Sequence, residues 1–155
     1  MSFLPFFKGT SNQKLQIGNG AYNITIPKKY LWEYDNENTL LFYPRGPETI
    51  TIRVSVISFS NNDGKPGDGA DYVIKEALAK GYNYEVASDK TAYMEIPPKR
   101  SIENGVNLIM QFWYIGRENS LIIFSAATIV LAQNDKTVTE MKSDLAQILK
   151  SVKKG

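Results

Sequence analysis

The sequence predicts an α+β fold, an αβα-type sandwich in which two main helices pack on a twisted antiparallel β-sheet of about six to eight strands. Three observations support this prediction. Short segments with alternating apolar residues follow one another through tight turns, so neighbouring strands run antiparallel. Two segments carry the periodic apolar stripe of an amphipathic helix. Two long segments near the end carry apolar residues at both odd and even positions, which is typical of strands covered on both faces.

The composition indicates one self-sufficient domain and excludes several kinds of chemistry. The chain has 155 residues, a net charge of +2, and neither cysteine nor histidine. A chain of this length is typical of a single domain and buries enough surface for a core. The missing residue types exclude disulfides, thiolate and imidazole metal ligands, and catalytic triads built on Cys or His. Because the charge is nearly balanced, we expect no nucleic-acid partner.

Residues 1–14 form an apolar N-terminal segment that precedes a single domain predicted over residues 15–155. The apolar residues of this segment are Phe3, Leu4, Phe6 and Phe7. No cation precedes them and Pro5 interrupts them, so we expect that the segment is not a secretory signal peptide. It either packs on the protein's own core or contacts a partner or a membrane surface. No apolar run reaches the length of a membrane-spanning helix, so we expect a cytoplasmic protein without strong membrane association.

The first third of the domain is predicted to be a series of β-strands. The predicted strands are 15–17, 21–26, 30–34, 39–43 and 49–59. Gly18, Asn19 and Gly20 separate the first two, and these residue types favour a tight hairpin turn. In the fifth strand the apolar residues alternate regularly until Ile57, where their parity changes. That change predicts a bulge or a local twist near Val56.

A polar loop over residues 61–69 leads into the first predicted helix. The helix begins near Ala70, is capped by Asp68 and ends at Gly81, a residue type that favours the left-handed conformation after a helix. Its predicted buried stripe comprises Ala70, Val73, Ile74, Ala77 and Leu78. The loop has the wrong oxygen-ligand spacing for a calcium site, and we expect neither a metal ion nor a cofactor in this protein.

The second half is predicted to contain two short strands, a long hairpin and a closing helix. The short strands are 82–86 and 91–96, and we expect Pro97-Pro98 to end the second of them. The long hairpin covers residues 106–131. The closing helix begins with the capping-box spacing of Thr137 and Glu140. The predicted buried stripe of this helix comprises Val138, Met141, Leu145, Ile148, Leu149 and Val152.

The order of these elements resembles that of the PsbP-like fold over about residues 20–153. The matching landmarks are the strand Tyr22–Pro27 followed by Trp32, the strand Ile50–Phe59, the helix Ala70–Lys80, the hairpin Val106–Leu131 and the helix Val138–Val152. This fold includes the Ran-binding nuclear import factor family and many small bacterial proteins of unknown role. The resemblance implies a binding or accessory protein and not an enzyme. No functional residue of the family matches a position here, so none is carried over.

Aromatic residues and an arginine in the second half are the candidate residues for binding a partner. They are Tyr82, Tyr84, Tyr93, Trp113 and Arg117. Tyrosine, tryptophan and arginine are enriched at interface hot spots. The three tyrosines share one parity on two strands that we expect to pair. We also expect the helices to leave the sheet uncovered near the 116–120 turn. Packing of these residues in the sheet is the alternative.

The sequence therefore favours a non-enzymatic binding or accessory protein that acts on an unidentified protein partner. A bacterial immunity-type protein, which neutralises a toxin, is one concrete version. We expect a monomer or a weak homodimer. The first alternative is a carrier of a small apolar ligand, with a pocket between sheet and helix. A carboxylate- or tyrosine-based enzyme is a less favoured alternative.

Overall fold

The computed structural model of the chain describes residues 11–36 and 38–155, so the apolar residues at positions 3–7 lie outside the described part. The strands are β1 (Asn12–Ile17), β2 (Tyr22–Pro27), β3 (Tyr30–Asn36), β4 (Thr39–Pro44), β5 (Ile50–Ser58), β6 (Asn83–Val86), β7 (Ala92–Glu103), β8 (Val106–Arg117), β9 (Ser120–Ile129) and β10 (Lys153–Lys154). The helices are α1 (Gly69–Lys80) and α2 (Lys136–Lys150), and a 3-10 turn covers Val130–Ala132.

The strands form two antiparallel sheets. The larger sheet has seven strands in the order β3-β4-β5-β9-β8-β7-β6, and the smaller has three in the order β1-β2-β10. All pairings in both sheets are antiparallel. The predicted α+β architecture is therefore confirmed, and the small separate sheet is an addition that the strand patterns do not reveal.

Two clusters of buried side chains lie on opposite faces of the seven-stranded sheet. The main core lies between this sheet, α2 and the small sheet, with Phe124 and Val54 as fully buried members. These two residues are directly opposite one another on β9 and β5, and opposite residues share a sheet face. On the other face, Val73 and Ala77 of α1 pack with Met94 of β7. The sheet thus has a helix on each side.

Helix α1 has the predicted ends. The Asp68 carboxylate accepts a hydrogen bond from the backbone N–H of Asp71 at 3.0 Å, and Gly81 adopts the left-handed conformation after the last turn. Asp68 is therefore the N-cap and Gly81 the C-cap. The predicted stripe is correct at Val73 and Ala77, which are buried, and wrong at Leu78, which is exposed. Leu78 comes one residue after the buried Ala77, so it is rotated by about 100° from it around the helix.

Helix α2 buries its predicted stripe, but it does not begin with a capping box. Val138, Met141, Leu145, Ile148 and Leu149 are buried, as is Val152 just after the helix. The N-cap is Asp135, so Thr137 already lies inside the first turn. Both predicted capping side chains form contacts with other parts of the chain instead. The Thr137 hydroxyl lies 3.4 Å from that of Thr49, and Glu140 forms an ion pair with Lys29 at 2.8 Å.

The prediction that Pro97-Pro98 ends a strand is wrong, because β7 continues through both prolines to Glu103. Its register with β8 shifts between Ile96 and Lys99. A bulge tolerates proline, since the extra residues need no ladder hydrogen bond. The bulge expected near Val56 is also absent from the pairing of β5 with β9, which runs without a register shift. Ile57 keeps the alternation of β5 and is exposed.

Among residues 11–36 and 38–155, no helix is both long and apolar enough to cross a lipid bilayer.

Candidate functional site

A groove of about 580 Å³ lies between α2 and the β6 end of the seven-stranded sheet, on the face of the main core. Its floor is formed by Tyr93, Glu95, Gln111, Trp113 and Ile115 of β7 and β8. One wall is formed by Lys142, Leu145, Ala146, Leu149 and Lys150 of α2. We call this feature the Tyr93–Trp113 groove.

The groove exists because the covering layer is narrower than the sheet. The main core takes buried residues from β4, β5 and β9 but only Ile115 from β8, and among the described residues β6 and β7 contribute no buried residue to it. Tyr93 and Trp113 are half-buried and pack against the border of that core. Tyr93 lies opposite Ile115 and Trp113 lies opposite Glu95, which puts the two aromatic rings on one face of adjacent strands.

Charged side chains line the groove and are already paired. The Lys150 Nζ lies 2.5 Å from a Glu85 carboxylate oxygen and 3.9 Å from the centroid of the Tyr93 ring, which is a cation–π geometry. The Gln111 amide donates a hydrogen bond of 2.7 Å to Glu95. Burial, supported by the nearby carboxylates of Asp89 and Glu85, raises the pKa of the Tyr93 hydroxyl above its usual value. That hydroxyl is therefore neutral at physiological pH.

The structure brings Tyr93 and Trp113 together on the groove floor; Tyr84 also lines the groove, from β6, and Tyr82 lies outside it. Strand β6 pairs with β7 so that Tyr84 lies opposite Met94 and Glu85 lies opposite Tyr93. Tyr84 therefore shares the α1 face with the buried Met94, at the rim of the sheet, and Tyr82 packs near α1 on that same side. The prediction that the three tyrosines share one face is wrong, because a one-residue difference in register reverses the faces.

Arg117 lies outside the groove, at an end of the sheet that is covered only in part. Its guanidinium donates a hydrogen bond of 3.2 Å to the carbonyl of Val152, and its own carbonyl accepts one from the Tyr22 hydroxyl at 3.4 Å. Gly116 is buried directly against the backbone of Gly69 at the start of α1. The start of α1 therefore covers the sheet at Gly116, whereas Arg117, Glu118 and Asn119 line an open concavity of about 1030 Å³, so the expected uncovered region is found only in part.

Several groove residues were missed by the sequence analysis. Glu95 is visible in the sequence as a carboxylate between apolar neighbours. It lies opposite Trp113 and accepts its hydrogen bond from Gln111, two residues before Trp113 in β8. Lys142, Ala146 and Lys150 follow one another at intervals of four residues, so they form a line along α2 beside its buried stripe. This spacing is a usable signal, but it becomes informative only when the strands beneath the helix are known.

That the protein binds neither a metal ion nor a cofactor remains an expectation. In the part of the chain that the structure describes, no three carboxylates come together as a group that could ligate a metal ion. We expect thermal unfolding curves recorded with and without EDTA to coincide. A melting temperature that falls by several degrees on chelation would show a carboxylate site and contradict this expectation.

Comparisons with known proteins concern the fold. No family model and no curated protein sequence matches this chain. The structure is similar to a crystal structure from Bacteroides thetaiotaomicron VPI-5482, with a TM-score of 0.65 and 13% sequence identity. That match covers 92% of this chain and 48% of the other, so this chain spans about half the length of the Bacteroides protein.

The solved structures similar to this chain include a PsbP, the family named in the sequence resemblance. It is the solution structure of cyanobacterial PsbP (CyanoP) from Synechocystis sp. PCC 6803, with a TM-score of 0.43 and 11% identity over 94% of both chains. At such low identities, likeness to solved structures concerns the fold alone. A function for this chain has to be argued from the groove.

Proposed function

We propose that this protein is a non-enzymatic binding protein that holds a segment of a protein partner in the Tyr93–Trp113 groove. The observation that supports this proposal is the pair of half-buried aromatic rings on the groove floor. Aromatic side chains supply large contact areas at little entropic cost, and tryptophan and tyrosine dominate interface hot spots. Burying the exposed half of each ring would contribute most of the binding energy.

The surroundings of the two rings have the organisation of an interface. Lys142 and Lys150 rise from α2 on one side, and the exposed carboxylates of Glu85 and Glu95 lie on the sheet side. A polar rim of both signs around an apolar centre is typical of protein–protein contacts. Such a rim orients a partner through charge complementarity while the central rings supply affinity.

The state of the groove's ionisable groups supports binding over catalysis. Glu85 and Glu95 are exposed and already have partners in Lys150 and Gln111. Carboxylates that act as acids or bases generally need burial that moves their pKa values apart. The raised pKa of Tyr93 keeps its hydroxyl protonated, so it does not act as a base near neutral pH. We therefore propose no reaction at this site.

The substitution Trp113→Ala tests the proposed function. We expect it to weaken binding of a protein captured from the native host by about 30-fold or more, the equivalent of about 2 kcal/mol at a hot spot. Trp32→Ala is the matched control, because Trp32 is an exposed tryptophan on the opposite end strand, β3. Titration calorimetry with the purified partner measures both. Unchanged affinity in Trp113→Ala, with the fold intact, would contradict the proposal.

A second candidate function is the carriage of a small apolar ligand. The groove volume lies within the roughly 300–1,000 Å³ of ligand pockets, and the groove lies between sheet and helix. The same variants separate the two functions. Saturable binding of an apolar probe such as ANS by the unliganded protein, lost in Trp113→Ala and kept in Trp32→Ala, together with no protein capture, would favour the carrier.

A further inference from the structure

Among the described residues, no strand pairs with the outer side of β6. Strand β6 forms one end of the seven-stranded sheet, and all of its residues from Asn83 to Val86 are exposed. The opposite end strand, β3, is different because side chains of the small sheet reach it. Gln13 donates a hydrogen bond to the Tyr30 carbonyl at 3.2 Å, and the Tyr34 hydroxyl donates to the Gln16 carbonyl at 2.7 Å. Among the described residues, the outer side of β7 beyond Glu95 is also unpaired, but Pro97 and Pro98 lack the N–H groups that a regular ladder needs there. The regular edge available for pairing is therefore β6.

Backbone hydrogen bonding determines which groups of β6 point away from the sheet. Just beyond the strand, the N–H of Ala87 donates to the carbonyl of Thr91 at 2.8 Å. Hydrogen-bonded pairs alternate along antiparallel strands, so Glu85 and Asn83 are the residues of β6 that bond to β7. The N–H and C=O groups of Tyr84 and Val86 therefore point outward.

We propose that β6 pairs antiparallel with β6 of a second copy of this chain, about a two-fold axis at Glu85. In this register Tyr84 lies opposite Val86 of the second copy, and Val86 lies opposite Tyr84 of the second copy. Every outward N–H and C=O of the two strands then finds a partner, because the outward residues are placed symmetrically about Glu85. This self-complementarity is what a two-fold interface requires.

The side chains agree with this pairing. Tyr84 is 42% exposed and Val86 is 49% exposed, and the dimer places them against each other as aromatic and β-branched cross-strand pairs. On the other face Glu85 meets its symmetry mate. Opposed like charges weaken a strand pair, and Lys150, 2.5 Å from each Glu85, offsets this repulsion.

The small contact makes the association weak. A four-residue strand edge buries far less than the roughly 1,200–2,000 Å² of stable protein–protein interfaces. The dimer therefore forms only at high protein concentration or when a bound partner spans both copies.

The second copy completes the groove, and this step rests on the proposed function. The two-fold axis is perpendicular to the sheet, so both copies present α2 on the same face. In one copy the Tyr93–Trp113 groove has a wall of α2 and ends at β6. The second copy continues the floor beyond β6 and adds its own α2 as the opposite wall. The partner that fits such a trough is a folded protein element and not a small molecule.

Sedimentation equilibrium of the purified protein tests the dimer without any partner. From about 0.01 to about 1 mM, the wild-type mass should rise from 17.4 kDa towards twice that value, as for a weak complex. Val86→Pro removes an outward donor and leaves the ladder with β7 intact, and Val86→Lys adds a charge at the edge. Both variants should stay at the mass of one chain. Leu131→Lys, which replaces an exposed apolar residue of the 3-10 turn, away from every strand edge, should behave as wild type.

A cysteine placed on the axis tests the register. The chain has no cysteine of its own, and opposite residues that do not bond to each other have Cβ atoms close enough for a disulfide. Glu85→Cys should therefore form a covalent dimer under mild oxidation, whereas Leu131→Cys, in the exposed 3-10 turn, should not. A wild-type protein that remains one chain at about 1 mM, or a dimer unaffected by Val86→Pro and Val86→Lys, overturns the inference. Neither result bears on Trp113 and partner binding, so the two proposals fail separately.

Discussion

Replacing Leu145 with alanine should lower the free energy of unfolding by about 2–5 kcal/mol. Leu145 lies in the middle of the buried stripe of α2 and is 2% exposed, within the main core between the sheet and the small sheet. The substitution removes buried methyl groups and leaves a cavity, because the surrounding strands relax only partly. For a typical total stability of about 5–15 kcal/mol this is a large share. Urea denaturation followed by circular dichroism measures it.

The matched control for this substitution is Lys153→Ala. Lys153 lies only a few residues beyond α2, in the two-residue strand β10, and its side chain is exposed. An exposed change of this kind usually alters stability by about 0.5 kcal/mol or less. The difference in the free energy of unfolding between the two variants then reports the burial of the side chain and not its position in the chain. Equal and small effects would mean that α2 is peripheral and would contradict the description of the main core.

Sequence patterns that depend only on neighbouring residues were sufficient to predict most of the fold. The alternation in β5 and the stripe of α2 are consequences of how strands and helices repeat, and the structure shows the expected faces buried. The caps of α1 were also predictable, because Asp68 and Gly81 act on the backbone immediately beside them. Such features need no knowledge of the tertiary structure.

Features that depend on distant contacts were not predictable. Nothing near Thr137 in sequence shows that Thr49 and Lys29 will take the side chains of the apparent capping box. The two-residue strand β10 has no pattern of its own, so the separate small sheet was missed. The two prolines of β7 suggested the end of a strand. The bulge that accommodates them can be recognised only when the pairing of β7 with β8 is known.

The candidate site was predicted in part for the same reasons. Trp113 and Tyr93 were chosen by residue type, and the structure places both on the groove floor. Tyr84 was placed on the wrong face because the register of β6 against β7 depends on where the Ala87–Thr91 turn closes. The groove itself follows from the width of the layer above the sheet, which is a property of the whole fold.

A close approach of two glycines holds α1 against the β8–β9 hairpin. A methyl group on Gly116 would lie 2.0 Å from the carbonyl oxygen of Gly69, and one on Gly69 would lie 2.1 Å from that of Ser120. All of these are backbone atoms, which cannot rotate away as a flexible side chain does. The Gly69 N–H also donates a 2.7 Å hydrogen bond to the Glu118 carbonyl, which fixes the start of α1 to the turn.

Overpacking of a core typically lowers the free energy of unfolding by about 1–3 kcal/mol. Gly116→Ala should lower it by more than this, because the start of α1 has to move. Gly105→Ala is the matched control: it lies at φ +78° with open space around it, so its cost is the left-handed backbone alone, about 1–2 kcal/mol. Denaturant unfolding gives both values, and hydrogen exchange should show that the Gly69 amide loses protection only in Gly116→Ala. A Gly116→Ala protein as stable as Gly105→Ala, with that amide still protected, would show that α1 is not seated on this contact.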